Sequence, residues 1–474
     1  MTTETTMSGK GGAGVISPAR EWICDTTTAA DLWPFTTPTA PDLIGTPLGV
    51  HPDSGQLACY DPYTWFQTGR QRAAQLAILA ANGVGKSALA KKLAVGLAAQ
   101  GLPVVVPFDA KHEYAALVDT LGGQALTLDR NGGLDLLDPA GAIATARAED
   151  APDHVLAELT ARRDRLVATV VGVHRGAPLA GWEETALATA TSLAGPGATI
   201  TDLPAVFTDR LDELAAALAR PVERADELLE PLTLDVAALT AGQIGHTLSG
   251  ATAQPWDVSR PVVVDTSRIP QIEKTLTAAV VVTCWTAAHS AIYLNRHHNP
   301  GVGVHAMIFD EIWRATREFP ALAAQVGGLL RMDRHEGLVT IVVTHSWTDT
   351  EQPGGSNILA RCAALALGGL QRAEADLIAN AGLGLTHGEL TEVRANTSAA
   401  RKGRFIIKTS EAPGHLVQTV LTAREDELLD TNAQWTTTGP TTGTRRDLRS
   451  GPRKAAPPTP STEPSVDFDE ARAS

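Results

Sequence analysis

Aromatic side chains make up only 4 % of the 474 residues, and cysteine occurs four times, at Cys24, Cys59, Cys284 and Cys362. No two of these thiols form a CxxC pair, so the sequence suggests neither a zinc site nor a disulfide framework, and a reducing cytoplasm fits. Positive charge is also short: 39 Lys and Arg stand against 53 Asp and Glu, a formal charge of -14. A broad grip on duplex nucleic acid needs a basic face to displace counterions, so charge does not indicate a nucleic-acid partner, although a local basic channel is compatible with the acidic total. Residues 1–20 lack the basic start and apolar core of a secretory leader, and none is expected. The most membrane-like run, "LTAAVVVTCWTAAHSAIYL" at 276–294, carries threonines, His289 and Ser290. It reads as a buried helix, and no transmembrane segment is expected.

The residues that are abundant, Ala, Leu, Gly and Thr, suit a globular α/β protein, and the length predicts two or three structural units. Residues 1–40 read as a flexible segment. Residues 40–65 alternate apolar runs with Pro, Gly and Asp, which predicts a β-hairpin turning at "PDSG". "LAILAA" (76–81) and "VVVPFD" (104–109) read as buried strands, with a helix between them that carries Leu89, Leu93 and Leu97 on one face and ends at Gly101. After "LDLLDP" (134–139), residues 141–256 change to helical spacing and read as an insertion. Within it, Phe207, Leu211, Leu214 and Leu218 are expected on one face of a helix capped by Asp202. Strand signals resume at 261–267, 304–311, 339–345 and 363–369, as apolar runs without alternation, the pattern of a parallel sheet covered on both faces. Residues 403–409 and 415–422 look like a closing hairpin. The tail, 433–474, has almost nothing to bury and is expected to be disordered. The sheet-bearing core would therefore comprise 41–140 and 257–432.

Two stretches carry chemistry. In "AANGVGKSALAKK" (80–92), Gly83 and Gly85 let backbone approach a phosphate, and the next helix points free N–H groups at the same place. The candidate nucleotide-binding residues are Asn82, Gly83, Val84, Gly85, Lys86, Ser87 and Ala88. Lys86 would reach the terminal phosphates, and the Ser87 hydroxyl would join a magnesium shell. Ala80 replaces the first glycine of the usual GxxxxGK[ST] spelling, which is tolerated where the backbone keeps a negative φ. In "MIFDE", an apolar strand ends in Asp310 and Glu311. Asp310 would hold magnesium and Glu311 would activate water, a pairing that favours hydrolysis over transfer to a small molecule. Thr344, His345 and Ser346 end the following strand, either as a γ-phosphate sensor or as a plain strand terminus. Arg331, Arg334, Arg361 and Arg372 are candidates to reach a neighbouring subunit's nucleotide.

In order, "ANGVGKSALAKKLA", "FDAKHEYAALVDTLGGQALTL", "LDLLDP", "GHTLSGAT", "PVVVDTS", "MIFDEIW" and "TIVVTHS" resemble the conjugative ATPase of type IV secretion. This is the VirB-four type within the HerA/FtsK superfamily, and the likeness covers roughly residues 45–425. It implies a RecA-like P-loop core, with ATP and Mg2+ bound at a subunit boundary and the sensor strand lying between the strands that bear Lys86 and Asp310. It further implies a homo-hexamer, secretion-channel or membrane-associated conjugation partners, and a cytoplasmic location, peripheral to the inner face of the membrane. Asp109, Lys111 and Glu113 match the family's DxxGEY-like block, with His112 where glycine is usual. These residues either line the nucleotide site or cap the helix that begins near Tyr114. His345 occupies a sensor position normally filled by glutamine; an imidazole still donates a hydrogen bond but changes the geometry. The family's long N-terminal domain has no counterpart here, so docking is expected to use the 45–65 hairpin, another subunit or the tail. Three functions compete: an ATPase powering a secretion apparatus, a DNA translocase of the same superfamily, and a nucleotide-gated scaffold that does not cycle.

Overall fold

The computed structural model describes residues 43–129, 133–250, 254–270, 272–310, 337–351, 357, 359–409 and 414–429. The segments expected to be flexible, 1–40 and 433–474, lie outside the described residues, apart from which the chain reads as follows. Strands β1 (Pro47–Val50) and β2 (Leu57–Cys59) form the predicted hairpin, and helix α1 (Pro62–Gln67) follows. Strand β3 (Gln75–Leu79), helix α2 (Lys86–Ala99), strand β4 (Val104–Asp109), helix α3 (Ala115–Thr120) and strand β5 (Gln124–Thr127) come next. Seven helices then run without a strand: α4 (Ala142–Ala148), α5 (Asp153–Arg175), α6 (Gly181–Ala194), α7 (Leu203–Asp209), α8 (Leu211–Ala217), α9 (Val222–Ala241) and α10 (Gln243–Leu248). Strand β6 (Val262–Asp265), helix α11 (Lys274–His298), and strands β7 (His305–Asp310), β8 (Leu338–Thr344) and β9 (Ala364–Leu367) return the chain to the sheet. Helices α12 (Arg372–Asn380) and α13 (His387–Ala395), strands β10 (Arg404–Thr409) and β11 (His415–Thr419), and helix α14 (Ala423–Leu429) end the described chain.

Among the described residues, eleven strands make one sheet, in the order β2-β1-β11-β10-β9-β3-β8-β7-β4-β6-β5. From β9 to β5 every pairing is parallel, and the β10–β11 and β1–β2 hairpins extend one side in antiparallel fashion. Successive side chains on a strand point to opposite faces, and here both faces are covered. Leu76 and Ile78 of β3 join one core with Val104, Val106, Ile308 and Ile341, over which α2 packs Leu89, Leu93 and Leu97. Ala77 and Leu79 join the opposite core, which takes in Met307 and Phe309 and is roofed by α11. That second core continues through Leu159, Val167, Leu187 and Leu232 into the seven-helix stretch, so these helices share the apolar interior of the sheet. Helix α11 contains the apolar run at 276–294 and lies within this core; 89 % of its most apolar window is buried.

Two expectations need correction. The helix expected across Phe207, Leu211, Leu214 and Leu218 is broken at Arg210, whose φ and ψ of -123° and 33° separate α7 from α8. Asp202 makes no side-chain cap on α7; its carboxylate instead accepts from Thr199 N at 2.8 Å. Phe207 and Leu214 still reach the core, while Leu211 and Leu218 pack at its margin. Strand β5 was not foreseen, because "QALT" is an edge strand with only Gln124 fully buried. An edge strand needs no continuous apolar run.

"LDLLDP" forms a turn bound to the end of the helical stretch by a bridge between Asp135 and Ser249. Asp135 is 8 % exposed and accepts from Leu137 N at 2.9 Å. Burial pushes its carboxyl up to about 6, against the opposing pull of that hydrogen bond. The folded protein thus holds this proton to a higher pH than the unfolded chain, so destabilisation sets in above the ordinary carboxylate range and is fully developed once the pH exceeds 6. Replacing Asp135 by Asn keeps the acceptor and removes the charge. The variant is expected to be more stable at pH 7.5, by up to about 3 kcal/mol. Denaturant titrations should show this advantage shrinking as the pH falls below 6 and vanishing below the ordinary carboxylate range. An advantage that stays constant with pH would contradict this account.

Candidate functional site

The phosphate-loop residues lie at the carboxyl end of β3, where a fully buried strand gives way to an open turn and then to α2. Gly83 and Gly85 have φ of 81° and 111°, in the left-handed region that favours glycine. Ala80 is absent from the residues with positive φ, so alanine fits at that position without backbone strain. Its methyl group points at Gly368, where an added Cβ would come within 2.6 Å of Ala80 Cβ and 2.8 Å of Phe405 Cε1. The glycine missing from the loop is matched by a glycine on the neighbouring strand's exit.

Three backbone bonds hold the loop from that side: Ala81 N donates to Gly369 O, Gly368 N to Leu79 O and Gly403 N to Val84 O, at 2.8, 2.9 and 2.8 Å. Helix α2 starts with no side-chain cap and no acidic residue in its first turn, which leaves its N-terminal donors and dipole available to an anion. The Lys86 ammonium folds over the loop and donates to Ala81 O at 3.2 Å and Asn82 Oδ1 at 3.3 Å. A positively charged, uncapped helix start with glycines at positive φ fits a nucleotide's phosphates. Ser87, one residue into α2, is half-buried.

Strand register puts the other candidates beside it. Leu79 pairs with Thr344, and Asp310 pairs with Val343, so the ends of β3, β8 and β7 are level and β8 lies in the middle. At the usual strand spacing, the Asp310 and Leu79 backbones are about 10 Å apart. His345 follows β8, and its Nε2 stands 3.3 Å from Asp349 Oδ2. The loop behind it is fixed by Glu374 of α12, which accepts from Ser346 Oγ and from Trp347 N, each at 2.7 Å. Glu311, Arg331 and Arg334 lie outside the described residues. Arg361 and Arg372 are both exposed.

The "DAKHEY" block organises the other side of Asp310. The Asp109 carboxylate accepts from Lys111 N, Glu113 N and Tyr114 N at 3.3, 3.0 and 2.8 Å, closing the loop that starts α3. Asp109 thus shapes the loop ahead of α3, and α3 itself begins without a side-chain cap. His112 has a φ of 56°, a conformation L side chains seldom adopt, at the position where glycine is usual in the resembling family. Its Nδ1 meets Asp265 Oδ2 at 2.8 Å. Burial raises the Asp265 carboxyl, but hydrogen bonds from Ser267 and His112 outweigh it and hold the group below its usual range.

Tyr114 and Lys91 were not identified from sequence. Tyr114 is 1 % exposed and its hydroxyl donates to Asp310 Oδ2 at 3.1 Å. Lys91, also 1 % exposed, places its ammonium 5.4 Å from the Tyr114 ring centroid and 3.7 Å from Glu113 Oε2. Burial lowers the Lys91 ammonium, against the pull of Glu113, Asp109 and Asp310. Burial and the carboxylates of Asp310, Glu113 and Asp109 together push the Tyr114 phenol well up, so it stays a donor. The sequence held one signal for this arrangement: a lysine pair inside an otherwise apolar helix, "ALAKKLA".

No protein-family model and no curated protein matches this chain. Solved structures do. The structure of VirB4 of Thermoanaerobacter pseudethanolicus superposes with a TM-score of 0.62 at 18 % identity, covering 82 % of this chain and 99 % of that one. The plasmid coupling protein TrwB in complex with the non-hydrolysable ATP analogue ADPNP gives 0.50 at 12 % identity, covering 87 % and 96 %. The chain has the RecA-like P-loop NTPase fold of these proteins, a mostly parallel sheet with helices on both faces.

The contact between Ala80 and Gly368 is directly testable. Gly368→Ala should destabilise the protein by roughly 1–3 kcal/mol through overpacking. Adding Ala80→Gly should recover part of that loss, leaving the share due to Phe405. A double-mutant cycle by chemical denaturation measures the coupling. Equal costs of Gly368→Ala with either residue at 80 would show that the methyl group is not the obstacle.

Proposed function

We propose that this protein is an ATPase that powers a conjugation-type secretion apparatus, driving its assembly or the passage of a substrate. The supporting observation is the alignment of an uncapped phosphate loop, Asp310 and His345 at the carboxyl ends of three adjacent strands, in a chain with the fold of VirB4. The reaction is ATP plus water to ADP and phosphate. In this reading the backbone N–H groups of Asn82 to Ala88 cradle the phosphates, and Lys86 moves from its own loop oxygens onto the terminal phosphates. Ser87 and Asp310 would hold magnesium, which would supply positive charge to neutralise the phosphates. Glu311 takes the proton of the attacking water, and His345 reports on the γ-phosphate.

The proposal includes the division of the chain into an ATPase part at 41–140 and 257–432 and a helical insertion at 141–256. It also includes assembly into a homo-hexamer, with an arginine from one subunit reaching the next subunit's nucleotide, and a position at the cytoplasmic face of a membrane-bound channel.

Phosphate release by the purified full chain tests the reading. The wild type should hydrolyse ATP in the presence of magnesium, and Lys86→Ala should lose nucleotide binding. Glu311→Gln should keep binding and lose turnover by about 100-fold or more, the usual contribution of a general base. Turnover of the wild type no faster than Glu311→Gln would point to a nucleotide-gated scaffold instead. Stimulation by DNA with a steep salt dependence would favour a DNA translocase over a secretion motor indifferent to DNA. Light scattering with and without ATP measures the assembly.

A further inference from the structure

Asp310 ends a buried strand and its carboxylate is half-buried, so its orientation is set by what touches it. It accepts from the Tyr114 hydroxyl, of a residue 196 positions earlier in the chain. A buried phenol needs an acceptor, and a backbone carbonyl would satisfy it without placing a carboxylate in a low-dielectric interior. The tyrosine is itself held on three sides. Asp109 binds its backbone N–H, the Lys91 ammonium lies over its ring, and its neighbour Glu113 is paired with the same ammonium. Lys91 belongs to α2, the helix that begins with Lys86 and Ser87. A rigid chain of contacts therefore runs from the phosphate-loop helix through an aromatic ring to the carboxylate at the end of β7.

We infer that Tyr114 is a positioning residue: its hydroxyl fixes the rotation of the Asp310 carboxylate so that magnesium is held in register with the phosphate loop, and Lys91 locks the ring in place from α2. This rests on the proposed role of Asp310 and extends it to residues with no place in the phosphate-loop or acidic-pair motifs. Magnesium demands near-ideal octahedral geometry, so a carboxylate free to rotate binds it less well even when every direct ligand is intact. Groups that orient a metal's ligands typically change metal affinity by 10- to 100-fold when removed.

The test uses the full chain and a fluorescent ATP analogue, with affinity measured in EDTA and then across a magnesium chloride titration. Tyr114→Phe removes only the hydroxyl. It should leave the affinity in EDTA unchanged and raise the half-saturating magnesium concentration by about tenfold. Asp310→Asn should abolish the magnesium-dependent gain in affinity, and the double variant should behave like Asp310→Asn alone, because the hydroxyl acts through that carboxylate. Lys91→Gln, which frees the ring and leaves the hydroxyl, should shift the magnesium dependence in the same direction. Wild-type magnesium dependence in both Tyr114→Phe and Lys91→Gln would overturn the inference, as would a loss of affinity in EDTA equal to the loss in magnesium. If the wild type bound no nucleotide in either condition, the proposed function would fail, and that result is distinct from either of these.

Discussion

The Asp109 carboxylate, buried at the end of β4 and bonded to the backbone N–H groups of Lys111, Glu113 and Tyr114, is the constraint from which the arrangement around Asp310 follows. A chain leaving a parallel strand must satisfy several orphan amides before a helix can begin, and here one side chain does so. The loop it closes has a fixed shape, and that shape sets three contacts at once. His112 is turned into the left-handed region and meets Asp265, Glu113 faces Lys91, and Tyr114 drops its hydroxyl onto Asp310. Without the carboxylate, each of these residues would have to find its partner independently.

The sheet explains why polar groups gather at one end. Its central strands are apolar on both faces, so neither face offers room for a charge, and the carboxyl ends are where the parallel strands release the chain. Parallel order makes all those ends coincide. The phosphate loop, Asp109, Asp265, Asp310 and His345 are thus neighbours by topology before any side chain interacts. The antiparallel hairpins contribute differently. Gly403, just before β10, binds Val84 of the phosphate loop, so the last part of the described chain braces the first motif from the side. The seven-helix stretch between β5 and β6 adds apolar interior to the same core that α11 roofs.

Much of the sheet was legible because β3, β4, β6, β7 and β8 are continuous apolar runs, a pattern that double-sided burial enforces and surface strands lack. Edge strand β5 carried no such run. The Asp202 helix misled because the 3.6-residue spacing of Phe207, Leu211, Leu214 and Leu218 continues across a backbone break at Arg210, and periodicity does not register a local change of φ. In the candidate site, the phosphate loop was readable because its residues are contiguous. The contacts of Tyr114 with Asp310 and of Lys91 with Glu113 join separate elements, and no short motif encodes a pairing set by sheet topology. His112 stood out in sequence as a departure, but only the backbone angle shows its cost and only Asp265 shows what offsets it.

The close approach of Ala80 to Gly368 has a historical implication. An ancestor with glycine at 80 could carry alanine at 368 at lower steric cost, and a descendant with alanine at 80 is much less free to do so. The less costly order of exchange is therefore that residue 368 loses its side chain first and residue 80 gains one afterwards, with the Phe405 contact opposing a side chain at 368 in either case. Once both steps are taken, reversal must begin at 80. A single methyl group in the phosphate loop thereby limits which sequences are reachable from this one by single substitutions that keep the fold.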